Sequence, residues 1–255
     1  MSKKRYVDVF RLCDFAIEAG RKIMEIYESG DFKTERKTDD SPLTRADRAS
    51  HTIIVSQLRE NYPDIPVLSE EGEEISYETR RSWPSFFLVD PLDGTKEFIS
   101  RNGEFTVNIA YLENNQPVLG VIYAPVPDIL YYTQNHTSYK QDREGKRHIV
   151  KVNKKTGKGL IAVRSRSHTS REEESFFSTH KVTDTLAKGS SLKFCMVAEG
   201  KAHLYYRHGP TMEWDTAAGH AIAQDAGAEV KGLKYNKKNL RNSSFYVTAV
   251  NLEKE

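Results

Sequence analysis

Phe86-Phe87-Leu88-Val89-Asp90-Pro91-Leu92-Asp93-Gly94-Thr95 is the stretch that decides the fold. Four apolar residues in a row read as a buried strand. The strand runs straight into two acids, and a carboxylate at a buried strand end is costly unless something neutralises it. Pro91 lies between Asp90 and Asp93, so the spacing predicts a tight turn on which both side chains and the Leu92 carbonyl face one point. Gly94 permits a φ that other residues resist. Thr95 then begins a helical turn that offers a hydroxyl and N–H groups to an anion. Read alone, Asp93-Gly94 beside a proline is equally an ordinary turn.

Other acids sit in comparable places. Residues 66–71 read as a short strand ending in Glu70-Glu71, and Asp215 opens a helix predicted over 214–226. Asp47 follows Thr44 by three residues, just inside a helix whose buried stripe is Ala46, Ala49, Ile53, Ile54 and Leu58. Each has a plain alternative: a solvated acidic pair at Glu70-Glu71, an N-cap at Asp215, a capping box between Thr44 and Asp47. Several acids converging on one strand end instead require a cation. Hard oxygen ligands select magnesium, calcium or manganese over zinc or copper, and no histidine or cysteine cluster competes.

Around these residues the pattern alternates between helix and strand. Val9, Leu12, Cys13, Ala16, Ile17, Ile23, Met24 and Tyr27 form one helical stripe, which predicts a helix over 9–27. Strands are expected over 105–112, 118–123 and 129–133. Residues 134–159 are polar and read as loop, and the lobe boundary is placed there. A second α/β segment follows, with a strand from 160, a helix over 192–199, a strand over 202–206 and a last strand over 245–250.

The chain has 255 residues, of which 38% are hydrophobic, enough for one large domain or two modest lobes. Lys plus Arg number 38 and Asp plus Glu 36, a formal net charge of +2. That balance argues against a dedicated nucleic-acid binder but is compatible with a locally electropositive site for a small anion. Cys13 and Cys195 read as buried reduced thiols, which favours a reducing compartment. No signal-peptide core follows the charged N-terminus and no stretch is long enough to span a membrane, so the expected location is the cytoplasm.

Taken together, Glu70-Glu71, Asp90-Pro-Leu-Asp93-Gly-Thr95 and Trp214-Asp215-Thr-Ala-Ala-Gly219 resemble the signature set of the inositol monophosphatase superfamily, over nearly the whole chain. Thr95-Lys-Glu-Phe98, Asn102-Gly-Glu-Phe-Thr-Val-Asn-Ile109, Ser165-Arg-Ser-His168 and Gly189-Ser-Ser-Leu-Lys-Phe-Cys195 look like its 3′(2′),5′-bisphosphate nucleotidase branch. The resemblance implies an α+β fold: a layered α-β-α-β-α sandwich with mixed, mostly antiparallel sheets. It implies an N-terminal lobe over 1–145 with most metal ligands and a C-terminal lobe over 146–255 that adds Asp215 and the nucleotide contacts. It also implies a magnesium-dependent enzyme that removes the 3′-phosphate of adenosine 3′,5′-bisphosphate (PAP) to leave AMP, and that converts 3′-phosphoadenosine 5′-phosphosulfate to the unphosphorylated phosphosulfate.

By the same resemblance, Glu70, Asp90 and the Leu92 carbonyl would hold one Mg2+, and Asp90, Asp93 and Asp215 a second, with a third ion near Glu70. Asp47 and Thr95 would orient and deprotonate the attacking water. Glu70, Leu92 to Thr95 (including Asp93 and Gly94) and Asp215 would also meet the transferring phosphate. Ser190, Lys193 and Arg207 would meet the nucleotide's other phosphate, with His168 nearby. Read without the resemblance, Lys193 and Arg207 are ordinary surface cations. Some family members sit at the inner face of the bacterial inner membrane, though nothing here looks like an anchor. The readings left standing beside this one are an inositol monophosphatase or fructose-1,6-bisphosphatase on the same scaffold, and a cation- or nucleotide-binding module without turnover.

Overall fold

Residues 6–36, 42–166 and 170–252 are described by the computed structural model; His168 lies outside them. Helix α1 (Val9–Ser29) starts where the Asp8 carboxylate accepts the Phe10 N–H at 3.0 Å. Helix α2 (Arg45–Asn61) starts at Thr44 and carries a capping box with Asp47. The two helices pack together and lay their apolar stripes on a sheet.

That sheet has seven strands in sequence order: β1 (Val67–Ser69), β2 (Ser85–Asp93), β3 (Thr106–Glu113), β4 (Gln116–Ala124), β5 (Ile129–Gln134), β6 (Thr137–Gln141) and β7 (Arg147–Ile149). Only β1 and β2 pair in parallel; the other neighbours are antiparallel. A short helix α3 (Tyr77–Arg80) crosses between β1 and β2, and α4 (Thr95–Ile99) follows β2 directly. Asp90 pairs with Asn108 and Asp93 with Thr106, so β2 carries one extra residue between its two acids. The expected tight turn is therefore a β-bulge at a strand end. Its Pro91 carbonyl is capped by the Ser50 hydroxyl of α2 at 2.7 Å.

A second sheet has the order β9-β8-β10-β12-β11, from β8 (Leu160–Ser165), β9 (Val182–Lys188), β10 (Leu204–Arg207), β11 (Glu229–Lys231) and β12 (Phe245–Thr248). β8 runs parallel to β9 and β10; the remaining pairs are antiparallel. Helices α6 (Leu192–Ala198) and α7 (Glu213–Asp225) lie between the two sheets, and α5 (Arg171–Thr179) covers the outer face of the second. The order of layers is thus α1/α2, seven-stranded sheet, α6/α7, five-stranded sheet, α5, the α-β-α-β-α sandwich expected.

Two layers touch at backbone distance. A Cβ on Gly120 of β4 would sit 2.3 Å from the Ala218 carbonyl oxygen of α7. Glycine there lets the helix that carries Asp215 settle against the first sheet. The polar stretch 134–159 is not all loop: β6 and β7 extend the first sheet within it. β7 is the edge strand and β6 lies next to it, and apart from Ser138 their residues are half-buried or exposed, so their pattern lacks the apolar alternation that marks a strand.

Candidate active site

The parallel pairing of β1 with β2 sets the first two acids side by side. Ser69 pairs with Val89, and the Glu70 N–H donates to the Val89 carbonyl at 3.1 Å, so Glu70 and Asp90 leave adjacent strands at the same level. Asp215 arrives from the first turn of α7. Carboxylate oxygens of Glu70, Asp90 and Asp215 all lie within 4.8 Å of one another. Asp215 is not an N-cap: Met212 occupies that position, and Asp215 Oδ2 accepts the Met212 N–H at 2.9 Å from within the first turn.

Electrostatics within this group are unfavourable as it stands. Burial, and then repulsion from Glu70, Asp93 and Asp215, hold the Asp90 carboxyl well above the usual carboxylate range. Burial and repulsion from Asp93 and Glu70 do the same for Asp215, against relief from the Met212 N–H and Arg207. Anions packed this closely either share protons or enclose cations. Three carboxylates from three separate segments, with oxygen donors alone, fit a hard divalent cation such as Mg2+. The acids are also tethered by one oxygen each: Asp90 Oδ1 accepts the Leu92 N–H at 3.1 Å, and Asp93 Oδ2 accepts the Ser191 N–H and hydroxyl, both at 2.6 Å.

Beside the acids is the Asp47–Thr95 pair. The Thr95 hydroxyl donates to Asp47 Oδ1 at 3.2 Å, while Asp47 Oδ2 accepts the Thr44 N–H at 2.7 Å and the Thr44 hydroxyl at 2.6 Å. Asp47 is therefore a helix-capping residue and a partner of Thr95 at once, one oxygen to each. Gly94, at φ 93°, turns the chain from the bulge into α4 and puts Thr95 there.

A cavity of about 300 Å³ opens from this point, lined by Glu70, Asp93, Thr95 and Asp215 and also by Ser190, Lys193 and Arg207. Lys193 is no surface cation: it is only 7% exposed, its Nζ donates to the Ser190 carbonyl at 2.6 Å, and it lies 5.6 Å from the centre of the Tyr205 ring. Burial pulls its pKa below the ordinary lysine value, opposed by the charge of Asp93. Arg207 is half-buried, and its Nε and the nearby Thr211 hydroxyl have no hydrogen-bond partner among the described residues.

Three residues of the network were not anticipated. Asn108 and Ser191 bind Asp93 directly. Glu104, just before β3, accepts from Arg166 at 2.8 and 3.0 Å, from Lys188 at 3.1 Å and from the Gly189 N–H at 2.8 Å. Burial raises its pKa, but these donors outweigh it and hold the carboxyl at about 2. Each contact spans more than sixty residues of chain except the Asn108–Asp93 bond, so no local pattern announces it.

A five-layer sandwich that brings acids from distant segments to a cavity also lined by Lys193 and Arg207 is the architecture of a metal-dependent phosphatase. The profile of the inositol monophosphatase family matches residues 7–255, and the chain belongs to that family. The 3′(2′),5′-bisphosphate nucleotidase CysQ of Salmonella typhimurium is 49% identical over 93% of this chain and 98% of its own length. CysQ of Escherichia coli strain K12 is 45% identical over the same shares. Among solved structures, CysQ from Bacteroides thetaiotaomicron superposes with a TM-score of 0.82 at 45% identity, covering 94% of this chain and 96% of that one. An IMPase from Thermotoga maritima shares the fold at a TM-score of 0.72 and 22% identity, covering 92% and 89%. Among the described residues no helix is long and apolar enough to cross a membrane.

Proposed function

We propose that this chain is a magnesium-dependent 3′(2′),5′-bisphosphate nucleotidase that hydrolyses the 3′-phosphate of PAP to give AMP and phosphate, and acts likewise on 3′-phosphoadenosine 5′-phosphosulfate. One observation carries the reading: a single cavity is lined both by acids of a cation-demanding cluster and by the buried Lys193 and half-buried Arg207. The substrate has the matching form, a phosphate at each end. The nearly full-length kinship to the CysQ enzymes supports the same substrate class.

Glu70, Asp90 and the Leu92 carbonyl would hold one Mg2+, Asp90, Asp93 and Asp215 would hold a second, and Glu70 would help hold a third. Bound there, the ions supply the positive charge that offsets charge developing on the phosphoryl group and the leaving O3′. The chain's own residues handle the proton. Thr95 donates its hydroxyl hydrogen to Asp47, so its oxygen lone pairs face the incoming water and fix its orientation. As water attacks phosphorus, its proton passes to Thr95 Oγ and the Thr95 proton moves onto Asp47. Thr44 holds Asp47 at this angle throughout. At the other end, Lys193, Arg207 and Ser190 meet the 5′-phosphate.

Phosphate release is measured side by side on PAP, inositol 1-phosphate and fructose 1,6-bisphosphate, with and without Mg2+. PAP is expected to be the preferred substrate, with no turnover in chelator. Faster release from inositol 1-phosphate than from PAP overturns the reading, and binding of PAP without turnover in Mg2+ identifies a non-catalytic module.

A further inference from the structure

The segments 102–109 and 189–195, which carry much of the resemblance to the nucleotidase branch, meet at Asp93. Asn108 is 1% exposed and Ser191 2%. The Asn108 Nδ2 donates to Ser191 Oγ at 2.8 Å and to Asp93 Oδ2 at 3.2 Å, while Asn108 Oδ1 accepts the Thr106 hydroxyl at 2.9 Å. The Asp93 carboxylate, which only accepts, fixes Nδ2 as the donor end of the amide. Ser191 Oγ lies 2.6 Å from Asp93 Oδ2 and 2.8 Å from the carbonyl oxygen of Asp215. The Ser191 N–H donates to the same Asp93 oxygen at 2.6 Å.

A hydroxyl has one hydrogen. With Asn108 filling its acceptor side, Ser191 donates to Asp93 or to the Asp215 carbonyl, which belong to opposite halves of the acid cluster. Asp93 comes from the end of the first sheet and Asp215 from α7. Three donors crowd Asp93 Oδ2, so Oδ1 is the oxygen left for a cation. Ser191 itself is held in place on both sides. Ser190 has φ 49°, a left-handed backbone that a non-glycine residue adopts at a cost. The preceding Gly189 N–H is tied to Glu104.

We propose that Ser191, oriented by Asn108, is a positioning residue that joins Asp93 and the Asp215 helix into one divalent-cation site. This rests on the cation role given to those acids above. It assigns Asn108 and Ser191, one from each segment, to metal affinity rather than to nucleotide recognition. A charge-assisted hydrogen bond is lost in Ser191→Ala, while the backbone donor and the side-chain volume nearly persist.

The test is binding of Mn2+ to the full-length, chelator-stripped protein without nucleotide, read by the electron paramagnetic resonance signal of free Mn2+. Ser191→Ala is expected to bind Mn2+ about tenfold more weakly than the wild type, and Ser191→Thr, which keeps the hydroxyl, within about threefold of it. In turnover, Ser191→Ala needs more Mg2+ for half-maximal rate, while the KM for PAP at saturating Mg2+ stays at the wild-type value. Unchanged Mn2+ affinity in Ser191→Ala overturns the proposal, and so does an equal loss in the alanine and threonine variants. Because the binding step uses no substrate, a wild type that binds Mn2+ but spares PAP defeats the nucleotidase reading and leaves this one standing.

Discussion

Replacing Lys193 by methionine separates what that residue does for stability from what it does for binding. The charge is 7% exposed, and its neighbours are a carbonyl and an aromatic face rather than a bonded carboxylate. Burial lowers its pKa from the ordinary value. A lysine whose folded pKa lies below its unfolded one binds its proton less readily when folded, so at neutral pH its charge subtracts from stability. Methionine keeps the apolar stem, and water in the cavity can take over the bond to the Ser190 carbonyl. The apo melting temperature of Lys193→Met near neutral pH is therefore expected not to fall. Binding goes the other way. A hydrogen bond between a charged donor and a phosphate contributes about 1.5–3 kcal/mol, so the KM for PAP should rise about ten- to hundredfold. Hydrolysis of 3′-AMP, which lacks the 5′-phosphate, should keep its kcat/KM within about threefold. Initial rates on both substrates at saturating Mg2+, with thermal melts on the same preparations, measure all three quantities. An unchanged KM for PAP, or an equal loss on 3′-AMP, refutes the assignment of Lys193 to the distal phosphate.

Thr95→Val and Asp47→Asn should each lower kcat by about 10²–10⁴ while leaving Mn2+ affinity near wild type; Thr44→Ala, which weakens the same helix cap by about 1 kcal/mol, should retain far more of the rate, and equal losses in all three would make the pair merely structural. Asp90 and Asp215 have folded pKa values above the unfolded value, so the metal-free protein holds their protons more tightly than the unfolded chain. Their contribution is then fully present below the unfolded pKa of 3.8 and is lost as pH rises through the folded values. Melts in chelator should show that decline, and added Mg2+ should reverse it most strongly at the alkaline end; a metal-free protein that gains stability across that window would contradict it. Gly120→Ala places a methyl 2.3 Å from the Ala218 oxygen and should cost about 1–3 kcal/mol in denaturant unfolding, whereas a neutral result would mean that the α7 layer can shift freely.

The helices and the acid cluster are legible in the sequence because their signals are local. The stripe of α1 from Val9 to Tyr27 has the helical period, and Thr44 announces α2 with Asp47 three residues on. Glu70, Asp90 and Asp215 stand out because each adjoins an apolar strand or begins a helix. Strands β7 and β9 escape notice because they lie at sheet edges where the sequence is polar, and β6, next to the edge, is as polar. Ser191 and Glu104 were missed for a different reason. Their partners are Asp93, Asp215 and Gly189, and only the stacking of the two sheets around α6 and α7 brings those together. Lys193 could be placed near the site by resemblance, but its burial follows from the layer that closes over it.

The extra residue in β2 decides more than the shape of a strand end. Along a strand, odd and even positions point to opposite faces. Phe87 and Val89 face the α1–α2 core, and Phe86 and Leu88 face α7. By that count Asp90 belongs on the α7 side and Asp93 on the other, buried under α1 with no counter-charge. The bulge resets the count by one: Leu92 joins the α1–α2 core, and Asp93 joins Asp90 on the side where Asp215 waits. Asp-x-x-Asp is thus a converging pair only because of a parity error written into the sheet. A strand that kept all four residues but paired without the bulge would retain both acids in the sequence, yet it would turn Asp93 away from Asp215.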